Sequence, residues 1–139
     1  VFFDSVSAFD FLEHVPRTAI DNGQTTFPFI RLMNEIHRVL KPGGIFYAIT
    51  PGYPREEAFA DPTHVNFITK KTHSYFTSPR YNARMYGFTG EFDKKQVKWV
   101  KFSQALSNSH WLIKFLKNLL YTVLYTKKSH ILWEFEKPK

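Results

Sequence analysis

Two short constellations in the chain carry side chains able to do chemistry: Glu13-His14, inside FDFLEHVPR, and Asp61-Pro62-Thr63-His64, inside a proline-punctuated segment. Histidine titrates near neutrality, so His14 suits a general base, while Glu13 beside it suits either contact with a ligand or organisation of its own loop. Asp61 and His64 lie three apart, a spacing at which a carboxylate orients an imidazole and the pair deprotonates a hydroxyl or an acid. As metal ligands the same pair would need further partners such as His73 or Asp10, and the pattern by itself assigns no metal. The plainer reading of residues 61 to 64 is a turn stiffened by Pro62 that carries a surface histidine. His14, Asp61 and His64 are the catalytic candidates.

Such side chains need elements to position them. Val1, Phe2, Phe3, Val6, Ala8 and Phe9 form a mostly apolar run, which predicts a strand covered on both faces, as in a parallel sheet. Residues 17 to 25, with their Asn22-Gly23 signal, read as a loop. Phe29, Leu32, Met33, Ile36, Val39 and Leu40 recur at three and four and predict a helix from residue 26 or 27 to 40. Thr25 or Thr26 would cap it, and Pro28 is tolerated in its first turn, where the missing N–H has no helical partner. Lys41-Pro42-Gly43-Gly44 is a stop signal, Ile45 to Thr50 a second strand, and Pro51-Gly52 a turn out of the sheet. Strand, helix and strand of these lengths predict a right-handed crossover between parallel strands. Ligands of such units sit outside the carboxyl ends of the strands, here beside Ala8 to His14 and beside Thr50 to Tyr53.

The remainder reads as a loop over 52 to 90 containing a short helix near 68 to 76, then a strand over 95 to 103, an amphipathic helix over 109 to 126 and a last strand over 129 to 136. Within the loop, Tyr75, Tyr81 and Arg84 either line a substrate pocket or pack. The helix over 109 to 126 is read as cover for the sheet, with weak contact to a membrane surface as the alternative. At 139 residues the chain has the size of one domain, and the absence of cysteine excludes disulfides and fits a cytoplasmic protein. A net charge of +7 attracts anionic partners, yet the lysines are dispersed and no arginine block occurs, which argues against nucleic acid. A basic interaction module without catalysis is the competing functional class.

The set Asp4-Ser5-Val6, Asp10 with Leu12-Glu13-His14-Val15, Glu35-Ile36 with Arg38 to Gly44, and Thr50-Pro51 resembles the class I S-adenosylmethionine-dependent methyltransferases. The resemblance is to the fourth strand of that family with its following loop, the next helix and the fifth strand, and it covers residues 1 to 76 best. It implies an α/β, partial Rossmann-like methyltransferase fold, a mixed sheet covered by helices, in which residues 1–139 form the C-terminal part of the domain. It also implies a substrate-side loop at 52–90, S-adenosylmethionine as cofactor with Ser7, Ala8, Phe9 and Asp10 at its pocket, and a small organic or lipid-like methyl acceptor. The glycine-rich cofactor motif of the family has no counterpart here and is expected upstream of Val1. A first strand left without its neighbours is expected to pair with a second copy.

Overall fold

A computed structural model describes residues 3–101 and 128–139. Strand β1 (Phe3–Phe9) leads through a short 3-10 turn at Leu12–His14 into a small hairpin, β2 (Ala19–Asp21) and β3 (Gln24–Thr26). Helix α1 (Pro28–Val39) and strand β4 (Leu40–Pro51) follow; α2 (Glu57–Ala60), β5 (Asp93–Val100) and β6 (His130–Glu136) complete the described elements, with 3-10 turns at Thr72–Tyr75 and Asn82–Tyr86. The main sheet has four strands in the order β1-β4-β6-β5. β1 and β4 are parallel, while β6 runs antiparallel to both β4 and β5. The mixed sheet flanked by helix is therefore the architecture expected from the sequence. The helix expected over 109 to 126 lies outside the described residues, among which no helix is long and apolar enough to cross a membrane.

The two-residue alternation of strands decides which side chains meet. In β1 and β4 the even positions Ala8, Phe46 and Ala48 face the core, next to Trp133 and Phe135 of β6 and the helix residues Phe29, Met33 and Ile36. The opposite face of the sheet makes a second cluster, with Ile49, Leu132 and Val100 buried and Tyr47 packed at its margin. β1 does not have both faces covered as expected: Phe3 and Phe9 are exposed, and Ser5 and Ser7 with them. Among the described residues no strand pairs with its outer edge.

Helix α1 carries the expected stripe, and Pro28 occupies its first turn. Its ends differ from the sequence reading. No threonine caps it; Thr26 donates its hydroxyl to the Ala19 carbonyl across the β2–β3 hairpin, in which Asn22 and Gly23 both take positive φ. Two consecutive left-handed residues make the tight turn whose twist suits a hairpin, so the segment read as a loop is paired. At the other end the backbone turns extended at Leu40, three residues before the positive φ of Gly43. The terminal carbonyls of His37 and Leu40 accept hydrogen bonds from the Lys137 ammonium at 2.8 and 2.9 Å. A cation from the far end of the chain thus satisfies the helix C-terminus, where the macrodipole favours positive charge.

After β4 the chain leaves the sheet at Gly52 and returns at Ile68, where the two residues bridge and Tyr53 N–H donates to the Ile68 carbonyl at 2.8 Å. The excursion from 53 to 67 is therefore clamped at its base. The segment expected as a helix over 68 to 76 contains only the 3-10 turn at Thr72–Tyr75, and the strand expected over 95 to 103 begins earlier, at Asp93. Phe76, Phe88 and Phe92 from this region fill the core against Phe46, Trp133 and Phe135.

Candidate functional site

At the carboxyl end of β1 the chain turns at Asp10, whose φ of 43° is left-handed although it carries a side chain. Such conformations cost about 1–3 kcal/mol and persist where the surroundings fix them. Here the Asp10 N–H donates to the Ile49 carbonyl at 2.9 Å, and its carboxylate lies 3.3 Å from His130 Nε2. His130, which the sequence offered no reason to single out, thus belongs to this end of the sheet. Ser7 and Phe9 present exposed side chains beside the turn, whereas Ala8 points into the core and offers a neighbouring ligand its backbone alone.

The 3-10 turn that follows aims Glu13 inward and leaves His14 at the surface margin. Glu13 is 1% exposed. Its Oε2 accepts the hydroxyl of Thr50, itself fully buried at the end of β4, at 2.8 Å. Thr50 thus holds the Glu13 side chain from the end of β4 and is buried there. The Glu13 backbone carbonyl accepts the N–H groups of Val65 and Asn66, both at 2.9 Å, which fastens the returning excursion to the turn. Asn66 further bonds the Leu12 carbonyl and accepts Arg17 Nε at 3.0 Å.

That fastening brings the three catalytic candidates together. The His14 and His64 rings meet edge to face with centroids 4.8 Å apart. Asp61 Oδ1 accepts both the backbone N–H and the hydroxyl of Thr63, at 2.8 and 2.7 Å, and these bonds hold its carboxyl below the usual carboxylate range. Thr63 Oγ1 lies 3.1 Å from His14 Nδ1, so Asp61 orients His14 through Thr63, while Asp61 Oδ2 is 3.9 Å from His64 Nε2. His64 Nδ1 lies 3.1 Å from the Ala58 carbonyl. The Nε2 atoms of His14 and His64 each stand 3.9 Å from Glu13 Oε1, which has no hydrogen-bond partner. The partners proposed from sequence to complete a metal set with Asp61 and His64 are elsewhere: His73 bonds Thr77, and Asp10 faces His130. Glu13 and His14 take that place, and their ligand atoms with His64 lie within 4.8 Å of one another.

Beside this cluster lies an open cleft of about 440 Å³, whose wall includes Arg17, Phe27, Phe29, Phe67, Tyr75 and Tyr86. Asn66 lines the cleft and bonds the turn carrying Glu13, so the two features share a wall. Phe59 stacks on Phe67 at 4.9 Å, and the Arg17 guanidinium sits 5.5 Å above the Phe67 ring. Tyr75 thus lines a cleft as the sequence allowed. Tyr81 and Arg84 instead pair with each other, the guanidinium lying 4.6 Å from the ring and bonding Glu91.

With this geometry in place, three solved structures are informative. A chain of the complex between the Haloferax volcanii Trm112 methyltransferase activator and a methyltransferase superposes with a TM-score of 0.54 at 16% identity, over 99% of this chain and 55% of that one. A SAM-dependent methyltransferase from Archaeoglobus fulgidus gives 0.53 at 14% identity over 98% and 60%. A protein from Bacillus halodurans assigned as a methyltransferase gives 0.50 at 15% identity over 99% and 65%. The chain therefore has part of the Rossmann-like fold found in methyltransferases, and it spans 55% to 65% of the length of these chains. No protein-family profile and no curated protein sequence matches it.

Proposed function

We propose that this chain supplies the acceptor-side part of an S-adenosylmethionine-dependent methyltransferase acting on a small organic acceptor. The observation that carries the reading is the carboxyl end of the parallel pair β1–β4. There the left-handed Asp10 turn, the exposed Ser7 and Phe9 and the Glu13–His14–His64 cluster stand together, at the edge where open α/β sheets bind ligands. The likeness to methyltransferase structures supports the same reading.

The cofactor, when bound, supplies an electrophilic methyl group on a sulfonium. Ser7, Phe9 and Asp10 would border it from the β1 side, with Ala8 contributing backbone only. The aromatic cleft beside Asn66 is the proposed acceptor site, since its rings offer apolar contact and Arg17 favours an acceptor with an acidic or electron-rich group. Methyl transfer is an in-line displacement, so catalysis rests on holding the acceptor atom in line with the methyl group.

The test is calorimetric titration of S-adenosylmethionine into the complete encoded protein, with Ser7→Tyr as the variant. Ser7 is exposed, so a bulky ring there is expected to abolish binding while leaving the melting temperature unchanged. Failure of the unaltered protein to bind the cofactor would sink the reading.

A further inference from the structure

We propose that Glu13 Oε1, His14 Nε2 and His64 Nε2 form a binding site for one divalent transition cation of the zinc class. The site stands on its own geometry, whether or not the protein transfers methyl groups.

The protonation pattern around the two rings gives the first argument. The Ala58 carbonyl can only accept, so His64 Nδ1 must carry the hydrogen of their 3.1 Å contact. The single hydroxyl hydrogen of Thr63 is directed to Asp61 Oδ1 at 2.7 Å, so His14 Nδ1 must donate to Thr63 Oγ1. Both neutral rings are thereby fixed in the tautomer that leaves Nε2 with a free lone pair. Imidazoles that ligate metals are held in the same way, by donating the other ring N–H to a carbonyl or to a carboxylate-backed partner.

The second argument is the carboxyl oxygen on which those lone pairs converge. Glu13 Oε1 is buried and has no hydrogen-bond partner, while Oε2 of the same group is satisfied by Thr50. At 3.9 Å neither Nε2 is within hydrogen-bonding distance of Oε1. Leaving such an oxygen buried and unmet is destabilising, and a cation between the three atoms removes that penalty.

The spacing is close to what a cation needs. Ligand atoms about 2.0–2.1 Å from a tetrahedral zinc ion stand about 3.3 Å from one another. The two Nε2–Oε1 separations of 3.9 Å exceed this modestly, and the ligand atoms as a set lie within 4.8 Å of one another, so rotation of the two imidazole side chains draws them in around an ion. Two imidazoles and one carboxylate suit zinc, cobalt, nickel or ferrous iron better than magnesium or calcium, which favour all-oxygen sets. His14, with 36% of its side chain exposed, gives the ion a path from solvent and leaves a coordination position open.

The test uses the whole chain stripped of metal by chelation, titrated with Zn²⁺ in competition with a chromophoric chelator and, separately, with Co²⁺ followed by visible absorption. One Zn²⁺ per chain is expected, together with cobalt ligand-field bands. Thr63→Val, which removes the hydroxyl shared by the His14 ring and Asp61 but keeps the backbone N–H bond to Asp61, is expected to weaken binding by about 10–100-fold, and His64→Ala by more. His73→Ala, remote from the cluster, leaves binding unchanged. Circular dichroism of each metal-free variant shows whether it is folded, and Thr63→Val decides the matter if His64→Ala is not. Absence of saturable binding to the unaltered chain would mean that a proton or water fills the gap and would overturn the proposal. So would equal affinity in the unaltered chain, Thr63→Val and folded His64→Ala, which would mark adventitious binding by other histidines.

Discussion

Replacing Thr50 by valine isolates the interaction that holds Glu13 in place. The two side chains have nearly the same shape, so the substitution opens no cavity at a residue with 0% exposure. What it removes is the 2.8 Å hydrogen bond to Glu13 Oε2, leaving a buried carboxyl whose other oxygen already lacks a partner. Hydrogen bonds to charged groups contribute about 1.5–3 kcal/mol, and an orphaned buried acceptor places the loss toward the upper end. For a domain of this size each kcal/mol moves the melting temperature by about 3–4 °C, so a fall of about 5–12 °C is expected. The measurement is urea and thermal unfolding in the presence of chelator, on Thr50→Val, Glu13→Leu and the double variant. Replacing both partners by apolar groups of similar shape removes the unmet oxygen, so the double variant is expected to be more stable than Thr50→Val alone. Additivity of the two single effects within about 0.5 kcal/mol would refute the coupling, and with it the account of how Glu13 is held.

Gly52→Ala is expected to destabilise the chain by about 1–3 kcal/mol in urea unfolding, because overpacking forces neighbours off their rotamers. Its Cβ would meet Ile131 side-chain atoms at 2.6 Å and Trp99 at 2.7 Å, where the excursion over 53 to 67 leaves the sheet. Acid should weaken the fold through His37, which burial first, and the Lys137 charge second, hold below its ordinary value of 6.5. The unfolded chain takes up that proton first, so stability is full above the ordinary value and declines as pH falls through it. His37→Phe keeps a ring against Phe92 and should flatten the dependence of unfolding free energy on pH between 7.5 and 5.5. Arg17→Ala removes the donors to Asn66 Oδ1 and the Phe67 carbonyl. Faster amide hydrogen exchange at Val65 and Asn66, with a loss of about 1 kcal/mol, is the expected result.

How far the sequence discloses this molecule depends on the range over which each feature is determined. The stripe of Phe29, Met33 and Ile36 specifies α1 because helical periodicity is a local property, and Pro28 at its start follows from the same local rule. The parallel pairing of β1 and β4 follows from strand, helix and strand in succession. The positive φ values of Asn22 and Gly23 were also legible, since that dipeptide favours the turn of a two-residue hairpin, yet the polar strands beside it hid the pairing. The end of α1 at Val39 was legible to within one residue, but the Lys137 ammonium that satisfies its carbonyls was not, because it reaches His37 from 100 residues away.

The candidate site divides along the same line. His14, Asp61 and His64 stand out by residue type and local spacing, and the sequence alone determined that these were the side chains able to do chemistry. Only the tertiary structure decided that they lie in one cluster beside Glu13. The Thr50 hydroxyl that fixes that carboxyl comes from 37 residues away, at the end of the neighbouring strand. The Thr63 hydroxyl that orients His14 comes from 49 residues away, on an excursion clamped where Gly52 bridges Ile68. Side-chain chemistry is written residue by residue, but burial and convergence depend on strand register and loop closure, and no local pattern specifies those.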